Sequence, residues 1–377
     1  VIGRKKTLCK SMWILFLIVT LIFPTLTYAD SNTDANISRE FSENIKQILN
    51  SEIYNGAIGS IVIRSAETGE IIFSYNEDIR LNPASNLKLI TGAAALDTLG
   101  KDYRWSTQLY TDGIQIDSTL KGNLYLKGTG DPTMLKKDYE FLVNELVSKG
   151  MKEIEGNLIL DDTYFDHVRL SNDMEWGDEP YDYGAQISAL TISPDEDYNA
   201  GTVLVTVKAG DQIGSSVKAE ITPKNDYVTI ENKGITTKNG EPNISVEREH
   251  GTNKIVITGS MPFQKNIEEK NYVSVWEPTQ LVGCIFSNIL KEKGMKINGN
   301  VLYEKTPNHA TLLVQKKSMP LSELMIPFEK LSNNGHAEIL VKTMGKIKCN
   351  EGSWDHGLKI VNEYLKKNRD QYIDYLH

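Results

Sequence analysis

The 377-residue sequence predicts a protein of the α/β (α+β) class, in which a helical domain is split along the chain by a β-rich insertion. Three observations predict it. Apolar residues recur at helical spacing over residues 38–54, after Asn82 and again beyond 278. The stretch from about 105 to 275 instead alternates short β-branched runs with Gly, Asn and Asp turns. Two short serine motifs, Ser85-x-x-Lys88 and Ser332-x-Asn334, stand at helix starts on either side of that stretch. With 40% apolar and 24% charged residues the chain is an ordinary globular one, long enough for two or more domains.

The first 29 residues read as a segment apart. Arg4, Lys5, Lys6 and Lys10 make a basic start, Met12 to Phe23 is an uncharged apolar run, and Thr27-Tyr28-Ala29 offers small residues where a signal peptidase reads. This pattern predicts a secretory signal cleaved after Ala29, and the run is short for a permanent membrane anchor. No cysteine follows the cleavage site, which argues against a lipoprotein. Removing four basic residues makes a chain of net charge −9 more acidic still, which disfavours nucleic acid as a partner. Only Cys284 and Cys349 remain, and the sequence leaves their pairing open. The Val1 start fits either a GTG codon or a missing amino-terminal fragment.

After the leader, Phe41, Ile45, Ile48 and Leu49 give a helix over about 38–54. Ile58 to Arg64 and Glu70 to Tyr75 flank the turn Glu67-Thr68-Gly69 as a hairpin. Asn82-Pro83 supplies a cap and a first-turn proline for a helix whose apolar face is Leu87, Ile90, Ala94 and Leu96, and which Gly100 ends. Strands follow at 122–126, 156–160, 202–207 and 254–258, interrupted by a helix at about 138–148. Beyond 278 come a helix through Leu281, Ile285 and Ile289, a strand at 299–303, and helices around Leu321, Ala337 and Leu358. The domain reading is 30–104 with 276–377 as one discontinuous domain, and 105–275 as one or two inserted β-rich domains.

Ser-x-x-Lys on a helix puts a hydroxyl and an amine on one face, one turn apart, which is the minimum for a serine nucleophile without histidine. The motif occurs at Ser85, Ser118 and Ser215, but only Ser85 stands at the start of a helix, where free N–H groups favour developing negative charge. Ser-x-Asn occurs at Ser42, Ser74 and Ser332, and only Ser332 follows Ser85. Its hydroxyl can relay a proton and the Asn334 amide can hold a substrate; the plain alternative for both is helix capping. Other chemistry is poorly supported. There is no Gly-x-Ser-x-Gly elbow, and the six histidines form no metal-binding pair. Gly128 to Pro132 reads as a turn, and Asp195-Glu196-Asp197 as a solvated loop. Lys342-Thr343-Met344-Gly345 imitates a Lys-Thr-Gly motif but falls on a helix.

Several segments together resemble the D-alanyl-D-alanine carboxypeptidase/endopeptidase family, the class C low-molecular-mass penicillin-binding proteins. They are Pro83 to Lys88, Leu124 to Thr133, Pro180 to Ala185, Ala189 to Ser193 and Leu331 to Glu338, within residues 40–365. The resemblance implies a β-lactamase/transpeptidase-like domain, helices on an antiparallel sheet, carrying β-rich inserts. It implies Ser85 as nucleophile, Lys88 as base, Ser332 as proton relay and Asn334 as substrate ligand, with no cofactor and no metal. Peptidoglycan stem peptides would be the substrates and β-lactams the inhibitors, outside the cytoplasm. The family also carries a Lys-Thr-Gly strand, and this sequence contains none. A premature stop, a frameshift or a fragment would each explain that, and the chain as given is expected to be weakly active or inactive. The alternatives are a β-lactamase, which the long separation of the motifs disfavours, and a non-catalytic wall-binding protein.

Overall fold

A computed structural model describes residues 31–264 and 266–373. The expected leader lies outside the described residues. The chain divides into two compact units, residues 1–82 with 373–377, and residues 83–372.

In the first unit, helix α1 (Ser31–Leu49) precedes an antiparallel hairpin of Ile61–Arg64 and Ile71–Tyr75. The expected helix therefore stops five residues early, at Leu49, where the Ser51 hydroxyl bonds back to the Ile48 carbonyl. The hairpin turn is the expected one. The Ser65 hydroxyl accepts the N–H groups of Glu67 and Thr68, and Arg64 donates to the Gly69 carbonyl.

The second unit contains helices α2 (Leu87–Leu99), α3 (Lys136–Ser148), α4 (Pro278–Glu292), α5 (Leu321–Lys330), α6 (Asn334–Cys349) and α7 (Trp354–Ile373). It buries two cores. The larger one is β-rich and centres on a five-stranded sheet in the order Val301–Tyr303, Leu158–Asp161, Leu124–Gly128, Ser106–Thr111, Thr311–Lys317. Leu124–Gly128 runs parallel to Leu158–Asp161, which runs parallel to Val301–Tyr303. Parallel neighbours need crossover connections, and α3 and α4 lie in them. Leu142, Val143, Leu146, Leu281, Ile285 and Ile289 of these helices are fully buried with Leu124, Leu126, Leu158 and Leu160 of the strands. All four residues of Leu158–Asp161 are buried, as a strand covered on both faces requires. The β-rich core thus continues through α4 to Lys317 rather than closing at the expected 275. Its remaining part, residues 202–274, folds as a three-stranded and a four-stranded sheet.

The second core is helical. Ala94 and Ala95 of α2, Leu321, Leu324 and Phe328 of α5, and Ile339, Leu340 and Met344 of α6 enclose Trp105. Trp105 is fully buried, and its Nε1–H donates to the Thr343 hydroxyl at 3.0 Å. Two contacts depend on missing side chains. A Cβ on Gly92 of α2 would sit 3.0 Å from the Glu329 carboxylate, and one on Gly357 of α7 only 2.0 Å from the Val341 carbonyl oxygen. Gly100, at φ +83°, ends α2 as expected.

The entry to α2 differs from the expected cap. Ala84–Asn86 forms a 3₁₀ turn before the α-helix begins at Leu87, and Ala84 has φ +45°. Ser85 therefore sits in this tight turn and not in the first α-turn.

Candidate active site

Ser85 is exposed and Lys88 is buried, and the Lys88 Nζ donates to the Ser85 Oγ at 2.9 Å. Burial pushes the Lys88 amine below the usual lysine range, against the opposing pull of the Glu329 and Glu338 carboxylates. A hydroxyl at the surface beside an amine that resists protonation is an arrangement for removing the serine proton. The other Ser-x-x-Lys sequences show no such contact. Lys121 pairs with Glu155, the Ser215 hydroxyl donates to the Gln212 carbonyl, and Lys218 pairs with Asp211.

Ser332 and Asn334 form the link from α5 to α6, and α6 packs on α2. Ser332 is exposed, with φ +53°. The N-cap of α6 is Asn333, whose Oδ1 accepts the His336 N–H at 3.0 Å. Asn334 is half-buried, and its Nδ2 donates to the Tyr183 carbonyl at 3.3 Å. Both motifs therefore start adjacent helices, and the carboxylate of Glu338, one turn into α6, acts on Lys88. Between α2, α6 and α7 lies a cleft of ≈ 500 Å³ lined by Leu87, Thr91, Glu338 and Trp354 among others.

Several polar side chains beside this cleft are bonded to one another. Lys342 has no exposed side-chain surface. Its Nζ bonds Asp166 Oδ1 at 2.5 Å and the Val168 carbonyl at 2.7 Å, and lies 3.6 Å from the centre of the Trp354 ring. The Trp354 Nε1–H donates to Glu338. Burial raises the Glu338 carboxyl above its usual range, and the Trp354 N–H, Lys342 and Lys88 oppose the rise. Lys342 and Thr343 are thus both engaged within the fold, Lys342 with Asp166 and Thr343 with Trp105. The helical reading of that near-motif holds.

Sequence reasoning missed Asn333, His336, Glu338 and the Tyr198-Asn199 pair. The Asn333–His336 spacing is that of a cap and could have been read. Nothing local connects residues 198–199 with residues 333–336. The acidic run beside them is engaged within the protein: Tyr272 donates to Asp195 and Asp197, and Lys137 pairs with Glu196. Among the described residues no group of three or more His, Cys, Asp or Glu is placed to hold a metal ion, and Cys284 and Cys349 are both free.

Comparison with known proteins follows the same lines. A D-alanyl-D-alanine carboxypeptidase from Actinomadura sp. is 36% identical over 330 residues, covering 86% of this chain and 61% of that protein. D-alanyl-D-alanine carboxypeptidase DacB from Haemophilus influenzae is 24% identical over 297 residues, 78% of this chain and 60% of its own. This chain therefore spans about 60% of the length of these curated relatives. The crystal structure of penicillin binding protein 4 (dacB) from Haemophilus influenzae superposes with a TM-score of 0.70 at 24% identity, over 82% of this chain and 67% of that one, so the fold is shared. The family model of the D-Ala-D-Ala carboxypeptidase 3 (S13) proteins matches residues 41–372, which include both serine motifs and both cores. This chain belongs to that family.

Proposed function

We propose that residues 83–372 carry the acylating half of a serine D-Ala-D-Ala peptidase. The observation that carries this is the Ser85–Lys88 hydrogen bond, made by a buried lysine of lowered basicity. In this reading Lys88 Nζ takes the proton of Ser85 Oγ, which attacks the carbonyl of the penultimate D-Ala. The peptide C–N bond breaks, Ser332 hands the proton to the departing amine, and terminal D-Ala leaves. Water then hydrolyses the Ser85 ester. Asn334 holds the amide of the acyl side chain. The substrates are peptidoglycan stem peptides, with release of D-Ala and endopeptidase cleavage both available to such a site. β-Lactams acylate the same serine; the Haemophilus influenzae penicillin binding protein 4 has itself been solved with a β-lactam bound. No cofactor enters this scheme.

The test is covalent labelling with fluorescent penicillin. Ser85→Ala should abolish labelling. Lys88→Ala should slow it by about 10²–10⁴-fold, the usual worth of a positioned base. Labelling of Ser85→Ala at the parental rate would move the nucleophile elsewhere. The site works outside the cytoplasm in this scheme, so amino-terminal sequencing of exported protein should begin near Asp30; an intact amino terminus on cytoplasmic protein would refute export.

A further inference from the structure

The Ser332–Asn334 turn is held by residues that the acyl-transfer scheme does not use. Ser332 and Tyr198 both have left-handed backbone, at φ +53° and +55°, and neither is glycine. Such conformations persist only where the surroundings over-determine them. Here the surroundings are the Tyr198 carbonyl and its neighbours. His336 Nε2 lies 2.9 Å from that carbonyl oxygen. Asn333 Nδ2 approaches the same oxygen at 3.4 Å and donates to Asn199 Oδ1 at 2.9 Å. The Ala200 N–H also reaches it at 2.9 Å. A carbonyl only accepts, so the proton of the neutral His336 ring sits on Nε2. The ring is fully buried beside Phe328, and its Nδ1 has no partner. The loop that carries Tyr198 is itself fixed, through Tyr272 to Asp195 and Asp197 and through Lys137 to Glu196.

We propose that His336 is a positioning residue for the Ser-x-Asn motif: its Nε2–H, bonded to the Tyr198 carbonyl, locks the Ser332–Asn334 turn to the 195–199 loop. The registration of Ser332 and Asn334 toward an acyl group on Ser85 then depends on a side chain that touches neither substrate nor nucleophile. Burial holds the ring down to a pKa of about 4, so it remains a neutral single donor through the neutral range. As a statement about acyl transfer the proposal rests on the function proposed above. As a statement about the turn it does not.

The experiment compares His336→Leu with His336→Gln in the full chain. Glutamine can place its Nε2–H where the imidazole has its own, and leucine cannot. Two quantities are read. One is the rate of Ser85 labelling by fluorescent penicillin, resolved into binding and acylation by varying penicillin. The other is the set of backbone amide ¹H–¹⁵N shifts of residues 332–335. The expected result is acylation slowed on the order of 10²-fold in His336→Leu, the cost of a displacement of about 1 Å, with penicillin binding little changed. His336→Gln should stay close to the parent, because the donor to the Tyr198 carbonyl is preserved. The 332–335 amides should shift in the leucine variant alone. Leucine and glutamine variants that behave alike, whether both fast or both slow, would overturn the proposal. If the parent itself is not labelled at Ser85, the acyl-transfer reading fails on its own, and the amide shifts decide whether the anchor exists. Should the leucine variant not fold, ¹⁵N-histidine labelling of the parent decides: the His336 ring should be the Nε2–H tautomer with a slowly exchanging proton, and an Nδ1–H tautomer or a freely exchanging Nε2–H would overturn the proposal equally.

Discussion

Lys88 and Lys342 are both buried lysines, and the chain gives them opposite surroundings. Lys342 meets a carboxylate, a carbonyl and an indole face at close range, although burial still lowers its amine below the usual range as it does for Lys88. Lys88 meets a serine hydroxyl, with carboxylates acting only as more distant opposing charges. Their places along the chain also differ, one in the first turn after a cap signal and the other in mid-helix. His336 was not legible in that way. Its value depends on a carbonyl 138 residues away, and no local pattern announces such a pairing. It has a measurable signature. The ring titrates at about 4 in the fold against the usual 6.5, chiefly because burial penalises the imidazolium. Between those values the unfolded chain binds the extra proton, so stability is lost as pH falls from 6.5 toward 4. The loss attributable to this ring is up to about 3 kcal/mol. Urea midpoints measured at pH 7, 5.5 and 4 should fall less steeply in His336→Gln than in the parent.

Helices were the most legible elements, since their apolar residues recur with a period that any core must respect. The exact entry of α2 was not. Asn82-Pro83 marked the right place, but the left-handed Ala84 and the 3₁₀ turn that presents Ser85 have no local signal. Strand partners were also hidden. Alternation reveals that a segment is a strand, while the parallel pairing of Leu158–Asp161 with strands on both sides depends on the crossovers through α3 and α4, the second reaching a strand more than 130 residues on. For the same reason no local pattern shows that α4 and the strands through Lys317 share the larger core with the residues before 275. The contact of α7 with α6 yields a sharper test. A methyl group at Gly357 would overlap the Val341 carbonyl, which is backbone and cannot rotate away. Gly357→Ala should therefore destabilise the unit by about 1–3 kcal/mol or more, seen as a lowered melting temperature, despite alanine's better helix propensity. An unchanged or raised melting temperature would mean that the two helices do not meet at Gly357.

At the scale of the molecule, two cores share residues 83–372, and both serine motifs start helices that pack in the smaller, helical one. The family resemblance implies a third element, a Lys-Thr-Gly strand, and the near-motif on α6 is occupied elsewhere. If that strand supplies an oxyanion donor, joining a Lys-Thr-Gly-bearing segment to residues 30–377 should raise D-Ala release by about 10²–10³-fold, the worth of one such donor. Equal turnover with and without that segment would show that the motif is dispensable here. The helical core has a further consequence, which concerns time. Trp105 at its centre bonds Thr343, 238 residues later. At synthesis rates of about 5–20 residues per second, Trp105 leaves the ribosome roughly 10–50 s before its partner does. For that interval α2, with Ser85 at its threshold, has no completed core to fold onto. Until Thr343 emerges the nascent polypeptide stays an open strand in this region, and the threshold of the Ser85 helix is completed only late in synthesis.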